Sequence, residues 1–172
     1  EDKEAKLEEI ERNYTPTSKI SDQGSMTLVF KVYFSNTVPR FPDGGKMSQQ
    51  LDKLGVGDHV EVRGPFGRIE YSGKGVFKIG RNKSKVAKRV GMIAGGTGIT
   101  PMFQVLQHAL NDPEDDTEIY LLFANVTESD ILLREELETM FKKHEQFKGL
   151  HYTLDRPPTD GSWKYSSGFV NE

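Results

Sequence analysis

Val90-Gly91-Met92-Ile93-Ala94-Gly95-Gly96-Thr97-Gly98-Ile99-Thr100-Pro101 is an apolar run that ends in a cluster of small residues and enters the amphipathic stretch Met102–Leu110. The order predicts a strand, a glycine turn and a helix start. Glycines let backbone come close to a bound phosphate, and the N–H groups at a helix N-terminus attract its charge. Pro101 suits the first helical turn, where its missing N–H is not needed. The stretch therefore points to nucleotide binding. It departs from the usual dinucleotide fingerprint: Pro101 stands where the third glycine would fall, and the acidic residue about twenty positions past Gly98, Glu118, opens the next strand instead of ending it. A tight strand-to-helix turn with no ligand gives the same local pattern.

Downstream of the turn, β and α patterns alternate. Strands are expected at Val90–Ala94, Glu118–Asn125 and Leu150–Leu154. Helices are expected at Pro101–Asn111 and Glu128–His144, the second with Leu132, Leu133, Leu137, Met140 and Phe141 near one face. Strands separated by helices predict a parallel sheet with right-handed crossovers. Upstream, from Tyr14 to Tyr71, the pattern is that of strands. Met26–Phe34 is rich in branched and aromatic residues, Val60–Arg63 alternates, and Gly64–Gly67 reads as a turn before Ile69–Tyr71. One short helix is expected there, at Lys46–Leu54. Gly80–Arg89 is polar and basic and predicts a mobile surface connector. The organisation is thus an acidic tail (1–11), a β lobe (12–80), a linker (81–89) and an α/β lobe (90–172). In the tail only Leu7 and Ile10 could anchor a helix, so a frayed segment is expected.

The 172 residues carry 23 Lys+Arg against 26 Asp+Glu, a net charge of -3, which argues against a general nucleic-acid binder. Cysteine is absent, so disulfides, thiolate chemistry and cysteine metal sites are excluded. His59, His108, His144 and His151 lack metal-ligand spacing, and no metal site is expected. The sequence has no apolar run of membrane-spanning length and no secretory signal, so a cytoplasmic location is expected, with an anchor outside this chain left open.

A second constellation opens the β lobe: Arg12-Asn13-Tyr14-Thr15-Pro16-Thr17-Ser18, then, some thirty residues on, Gly44-Gly45-Lys46-Met47-Ser48. Arginine can fork onto a phosphate, tyrosine offers a flat face to an aromatic ring, and a glycine turn entering a helix can hold a second phosphate. Each piece also has a plain reading as a surface charge, a turn or a helix cap. In order along the chain, however, the pieces resemble the NADH–cytochrome b5 reductase family within the ferredoxin–NADP reductase superfamily. The matching motifs are Arg12-x-Tyr14-Thr15, Val29-x-Lys31-Val32-Tyr33-Phe34, Gly45-Lys46-Met47-Ser48, Gly64-Pro65-x-Gly67, Gly95–Pro101, Leu122-Phe123-Ala124-Asn125 and Tyr152-Thr153-Leu154-Asp155-Arg156.

The resemblance implies an antiparallel β-barrel FAD-binding lobe followed by an α/β parallel-sheet NADH-binding lobe, both incomplete. It implies FAD and NADH as cofactors, and cytochrome b5 or a similar haem protein as acceptor. Arg12 would contact the FAD pyrophosphate, and Tyr14 would pack on the flavin and ribitol, with Asn13 contributing backbone. Thr15 would stand near the reactive edge of the ring. Val29, Lys31 and Phe34 would line the FAD site, Lys31 also facing the nicotinamide nucleotide, so that Thr15 and Lys31 are the candidates closest to the chemistry. Lys46, Met47 and Ser48 would hold FAD phosphates, and Thr100 would reach the flavin. Gly95, Gly96, Thr97 and Gly98 would form the NADH-side turn. Asp155 would accept bonds from ribose hydroxyls and repel a 2′-phosphate, favouring NADH, although Arg156 beside it offsets part of that charge.

Two departures stand against the family pattern. An acidic run replaces the strands expected before Arg12, and the chain ends at Gly168-Phe169-Val170-Asn171-Glu172 without the family's Cys-Gly-Pro-Pro-type loop. The expectation is a chain truncated at both ends, with exposed strand edges. Three functions fit this sequence: a reductase or a piece of one, the flavin module of a larger oxidoreductase such as a nitrate reductase, and an inactive truncated form serving as a binding module.

Overall fold

The computed structural model describes residues 9–171; the frayed tail expected over 1–11 therefore lies largely outside the described residues. In chain order the elements are α1 (Lys46–Asp52), β1 (Ile69–Tyr71), β2 (Val76–Ile79), β3 (Lys83–Val86), β4 (Arg89–Gly95), α2 (Ile99–Asn111), β5 (Glu118–Asn125), α3 (Arg134–Lys143), β6 (Phe147–Leu154) and β7 (Ser166–Ser167), with short 3-10 turns at Gly96–Gly98 and Glu128–Asp130. The chain forms two compact units, one from the residues up to Tyr14 with Phe30–Gly64, the other from Thr15–Val29 with everything from Pro65 onward.

The second unit holds a parallel sheet in the order β4-β5-β6-β7 and an antiparallel sheet in the order β1-β2-β3. Period-two alternation places Met92 and Ala94, then Ile119, Leu121 and Phe123, then Tyr152 and Leu154 in the core. From α2 come Ile99, Phe103, Leu106, Ala109 and Leu110, and from α3 Leu137. Each fully buried large aliphatic or aromatic side chain stabilises by about 1.5–3 kcal/mol, so this layer carries the unit. Ile93 and Tyr120, which alternate out of that layer, are exposed.

The sequence placed β1, β4, β5, α1 and α2 to within two residues, found β6 three residues short at its start, and erred elsewhere for identifiable reasons. The helix expected over 128–144 is interrupted. Thr127 and Asp130 form a reciprocal cap that closes a single 3-10 turn, and Leu133 adopts φ 57°, so the α-helix starts only at Arg134. The basic segment read as a connector contains β3, whose residues pair with β2 from Val76↔Val86 to Ile79↔Lys83. Gly80, at φ +62°, makes the hairpin bend. Lysines on an exposed edge strand mimic a linker in sequence, because edges are guarded by charge. Conversely, Met26–Phe34 and Val60–Arg63 form no regular strand, and among the described residues none precedes Ile69. Their β-propensity finds no continuous ladder. Thr17 N–H donates to the Thr27 carbonyl (2.8 Å), while Tyr33 N–H donates to Ser48 Oγ (3.1 Å) and Ser35 N–H to Gln49 Oε1 (3.3 Å).

Two side-chain networks tie the second unit together. Asp115, 1% exposed, accepts from Tyr71 Oη (2.5 Å), the Lys74 N–H (2.8 Å) and the Thr117 N–H (3.1 Å). The Gly75 N–H donates to Tyr71 Oη (3.0 Å). Burial works against the Asp115 carboxylate, but these bonds outweigh it and hold its pKa below the ordinary 3.8. Burial and the bond to Asp115 push the Tyr71 phenol above 10.0. On α2, Gln104 Nε2 donates to the carbonyls of Pro16 and Ser18 (2.6 Å each), and Gln107 Nε2 to that of Thr17 (2.7 Å). This pins the segment just after Thr15 to the helix that follows the glycine turn.

Candidate functional site

Arg12, Tyr14, Lys31, Phe34 and Lys46–Ser48 lie in the first unit. Arg12 is exposed, with Nη1 donating to the Glu11 carbonyl (2.7 Å). Tyr14 is half-buried and meets Phe30 edge to face at 5.8 Å. Burial raises its phenol pKa against the lowering influence of the Arg12 charge. Arg12 is therefore close enough for its charge to act on the Tyr14 phenol. Asn13 and Phe34 are exposed, and Lys31 is half-buried.

The Gly44–Gly45 turn is built from the chain's own needs. Gly44 has φ +67°, and a Cβ there would run into the Tyr33 carbonyl oxygen; a Cβ on Gly45 would stand 2.5 Å from Ser48 Oγ. Gly45 is the N-cap of α1 and supplies no side-chain cap. Ser48 is buried, and its hydroxyl is already engaged, accepting from the Tyr33 N–H and donating to the Gly45 carbonyl (3.1 Å each). What Ser48 can offer a phosphate is its backbone N–H, not its hydroxyl. The aromatic face, the arginine and the helix start are chemically suited to the ring and phosphates of FAD.

Thr15, Val29, Gly95–Gly98, Thr100 and Asp155 lie in the second unit. Thr15 and Val29 are half-buried, and Thr100 is buried with Oγ1 donating to the Thr97 carbonyl (3.2 Å), which fastens the turn to α2. A Cβ added at Gly95, Gly96 or Gly98 would meet nothing within 4 Å, and only Gly96 has a positive φ (+50°). Intramolecular packing thus gives no reason for glycine at 95 and 98. The backbone is left clear on its outer side at the N-terminus of a thirteen-residue helix, which fits the close approach of a nucleotide phosphate. Asp155, exposed, follows β6, with its N–H donating to the Asn125 carbonyl (3.1 Å). Glycine turn and acidic residue both stand at the carboxyl ends of parallel strands, where α/β sheets bind ligands.

Sequence reasoning missed several side chains of the second unit. Gln104 and Gln107 read only as polar positions on a helix. Arg134, flanked by Glu128 (2.5 Å) and Glu138 (2.8 Å), lies 5.7 Å from the Tyr152 ring centroid and 5.8 Å from that of Trp163. Asn125, which closes the matching motif Leu122–Asn125 but was given no role of its own, lies buried at the end of β5. Among the described residues no group of acidic and histidine side chains is arranged to hold a metal ion, and no helix is long and apolar enough to cross a membrane.

Residues 2–71 match the family model of the oxidoreductase FAD-binding domain, and residues 92–172 that of the oxidoreductase NAD-binding domain. The chain is 57% identical to NADH-cytochrome b5 reductase 2 of Xenopus laevis over 167 residues, covering 94% of this chain and 55% of that protein. It is 52% identical to the nitrate reductase [NAD(P)H] of Betula pendula over 161 residues, covering 94% of this chain and 18% of that one. The crystal structure of the cytochrome b5 reductase domain of Ulva prolifera nitrate reductase superposes with a TM-score of 0.86 at 51% identity, covering 93% of this chain and 60% of that one. The chain spans about half the length of the cytochrome b5 reductases it matches. With both domain models matched in succession and relatives more than 50% identical over most of its length, this chain belongs to the NADH–cytochrome b5 reductase family of FAD- and NAD-binding oxidoreductases.

Proposed function

We propose that this chain is the flavin- and nucleotide-binding part of an NADH-dependent reductase of the cytochrome b5 reductase type, with residues 12–80 serving FAD and 90–172 serving NADH. FAD, when bound, supplies the chemistry: it takes a hydride from the nicotinamide and releases electrons one at a time. The chain's own residues position and select. Arg12 neutralises pyrophosphate charge, and Tyr14 supplies an aromatic face. The Lys46–Ser48 helix start offers backbone donors, and Lys31 adds a cation. Thr15 and Thr100 both lie in the unit that carries the nucleotide turn: Thr15 would present its hydroxyl to the reacting ring, and Thr100, whose hydroxyl donates to the Thr97 carbonyl, would hold the turn beside it. Asp155 selects NADH by accepting from the ribose and repelling a 2′-phosphate. No acid–base pair is needed. The observation that carries the reading is the open glycine backbone at Gly95 and Gly98, where neither packing nor a positive φ calls for glycine, at the start of a thirteen-residue helix.

The acceptor is a haem protein such as cytochrome b5, with an acidic surface facing the exposed β3 edge, where Lys83 and Lys85 stand near Arg81, Lys88 and Arg89. We place the reaction on the cytoplasmic side. A second reading, the flavin module of a nitrate reductase, is favoured by the likeness to the Ulva prolifera domain. The test is flavin absorbance of the purified chain together with NADH-driven reduction of ferricyanide and of cytochrome b5. Absence of FAD binding on titration removes the reading; reduction of both acceptors supports it.

A further inference from the structure

Ile119, Leu121 and Phe123 alternate onto the core face of β5, and the next position on that face is Asn125. The residue is 6% exposed, and among the described residues neither Oδ1 nor Nδ2 has a hydrogen-bond partner. An unpaired buried amide is costly, of the order of a lost hydrogen bond or more, and such a group in a folded protein needs an explanation. Its place supplies one. In the sheet register Gly95 stands opposite Ala124, so Asn125 comes level with the turn Gly96–Gly98 that continues β4. On the other side Asn125 pairs with Leu154, the residue before Asp155. Asn125 therefore occupies the middle of the sheet's carboxyl end, between the open glycine turn and the acidic residue assigned to the ribose.

We infer that Asn125 is a positioning residue of the nucleotide site. Seating a sugar–phosphate group on the Gly95–Gly98 turn brings a backbone group of that turn to the Asn125 amide, so that binding satisfies a polar group left unpaired in its absence. The inference rests on the reading of the turn as the nucleotide seat, and it carries a sign that a purely structural asparagine would not have. A structural asparagine stabilises the unliganded fold; this one destabilises it and returns the difference when nucleotide binds.

The experiment compares the full chain with its Asn125→Leu, Asn125→Ala and Gly96→Val variants, using ADP-ribose as the probe. Affinity is read by calorimetry, stability by thermal unfolding with and without probe, and backbone protection of residues 95–100 by hydrogen exchange. Asn125→Leu is expected to raise the unliganded Tm by about 2–4 °C and to weaken ADP-ribose about 3- to 10-fold, the scale of one hydrogen bond. Asn125→Ala is expected to weaken binding similarly, and protection of the wild-type turn is expected to rise with ADP-ribose. Unchanged affinity in both Asn125 variants, with Gly96→Val weakened, overturns the inference and leaves the nucleotide seat standing. An unliganded Tm that falls in Asn125→Leu also overturns it. Failure of the wild-type chain to bind ADP-ribose overturns the seat and the inference together.

Discussion

Gly44–Gly45 and Gly95–Gly98 each lead into a helix, but the chain requires the first pair and has little packing use for the second group. A side chain at Gly44 or Gly45 would strike Tyr33 or Ser48, and Gly44 sits at φ +67°. These glycines would be needed if no ligand ever came near. At Gly95 and Gly98 the space is empty among the described residues and the backbone angles are ordinary, φ -126° and -64°. The contrast teaches that a glycine is evidence for a ligand only to the extent that the fold itself does not need it. It also separates two sites that look alike in sequence. One is a turn on a seven-residue helix, while the other ends a strand whose alternate residues are buried with the core of α2, β5 and β6.

The largest expected effect tests that difference in stability. Gly44→Ala adds both a left-handed strain and an overlap with the Tyr33 backbone, and should cost about 2–4 kcal/mol, read as a lowered midpoint in denaturant unfolding. A loss below about 0.5 kcal/mol would mean that the first turn is as unconstrained as the second. Next, Arg12→Ala should weaken FAD by about 1.5–3 kcal/mol, the scale of a hydrogen bond to a charged group. Unchanged FAD affinity in a fluorescence titration would leave the first unit with a structural turn and no phosphate site.

Asp115 tests what holds the strands of the second unit in place. Its folded pKa lies below 3.8, so its stabilising contribution is complete above the unfolded-state value and is lost as pH falls through the lower folded one. Asp115→Asn should cost about 1–3 kcal/mol at neutral pH, by removing a buried charge-assisted acceptor. The gap to wild type should narrow as pH falls towards and below 3.8. A gap that is constant with pH in thermal scans from neutral to acidic buffer would show that Tyr71 and Thr117 gain nothing from the charge. Asp155→Ala should narrow the NADH-to-NADPH ratio of flavin reduction rates about fivefold, near 1 kcal/mol of removed repulsion. A wild type that already prefers NADPH would break the assignment. The smallest effect is at Gly98. Its backbone suits alanine, so Gly98→Ala should change stability by no more than about 0.4–1 kcal/mol, towards a higher Tm, while weakening ADP-ribose. A variant that is stable and still binds as wild type would place the open turn outside the nucleotide site.

Much of this molecule was legible before any coordinates. The apolar run into a glycine cluster, and the repeat of that grammar at Glu118–Asn125, predict a parallel sheet because only buried strands and amphipathic helices have those periods. The ordered motifs from Arg12 to Arg156 assign the family and the candidate residues, because flavin, phosphate and ribose each demand a particular side-chain chemistry. Partnership was not legible. Met26–Phe34 has strand composition but no ladder, whereas Lys83–Val86 has linker composition and pairs with β2. Whether a backbone finds another backbone is a long-range fact that local residue types do not encode. The same holds for side chains. That Ser48 Oγ is engaged by Tyr33 and Gly45, that Gln104 and Gln107 grip the carbonyls of Pro16, Thr17 and Ser18, and that Asn125 is buried without a partner depend on what lies opposite in space. By itself the sequence determined the kinds of chemistry and the order of the elements, because both are written in local composition and period. Only the tertiary structure decided which glycines the fold needs for itself and which it leaves open, because that depends on atoms brought close by folding.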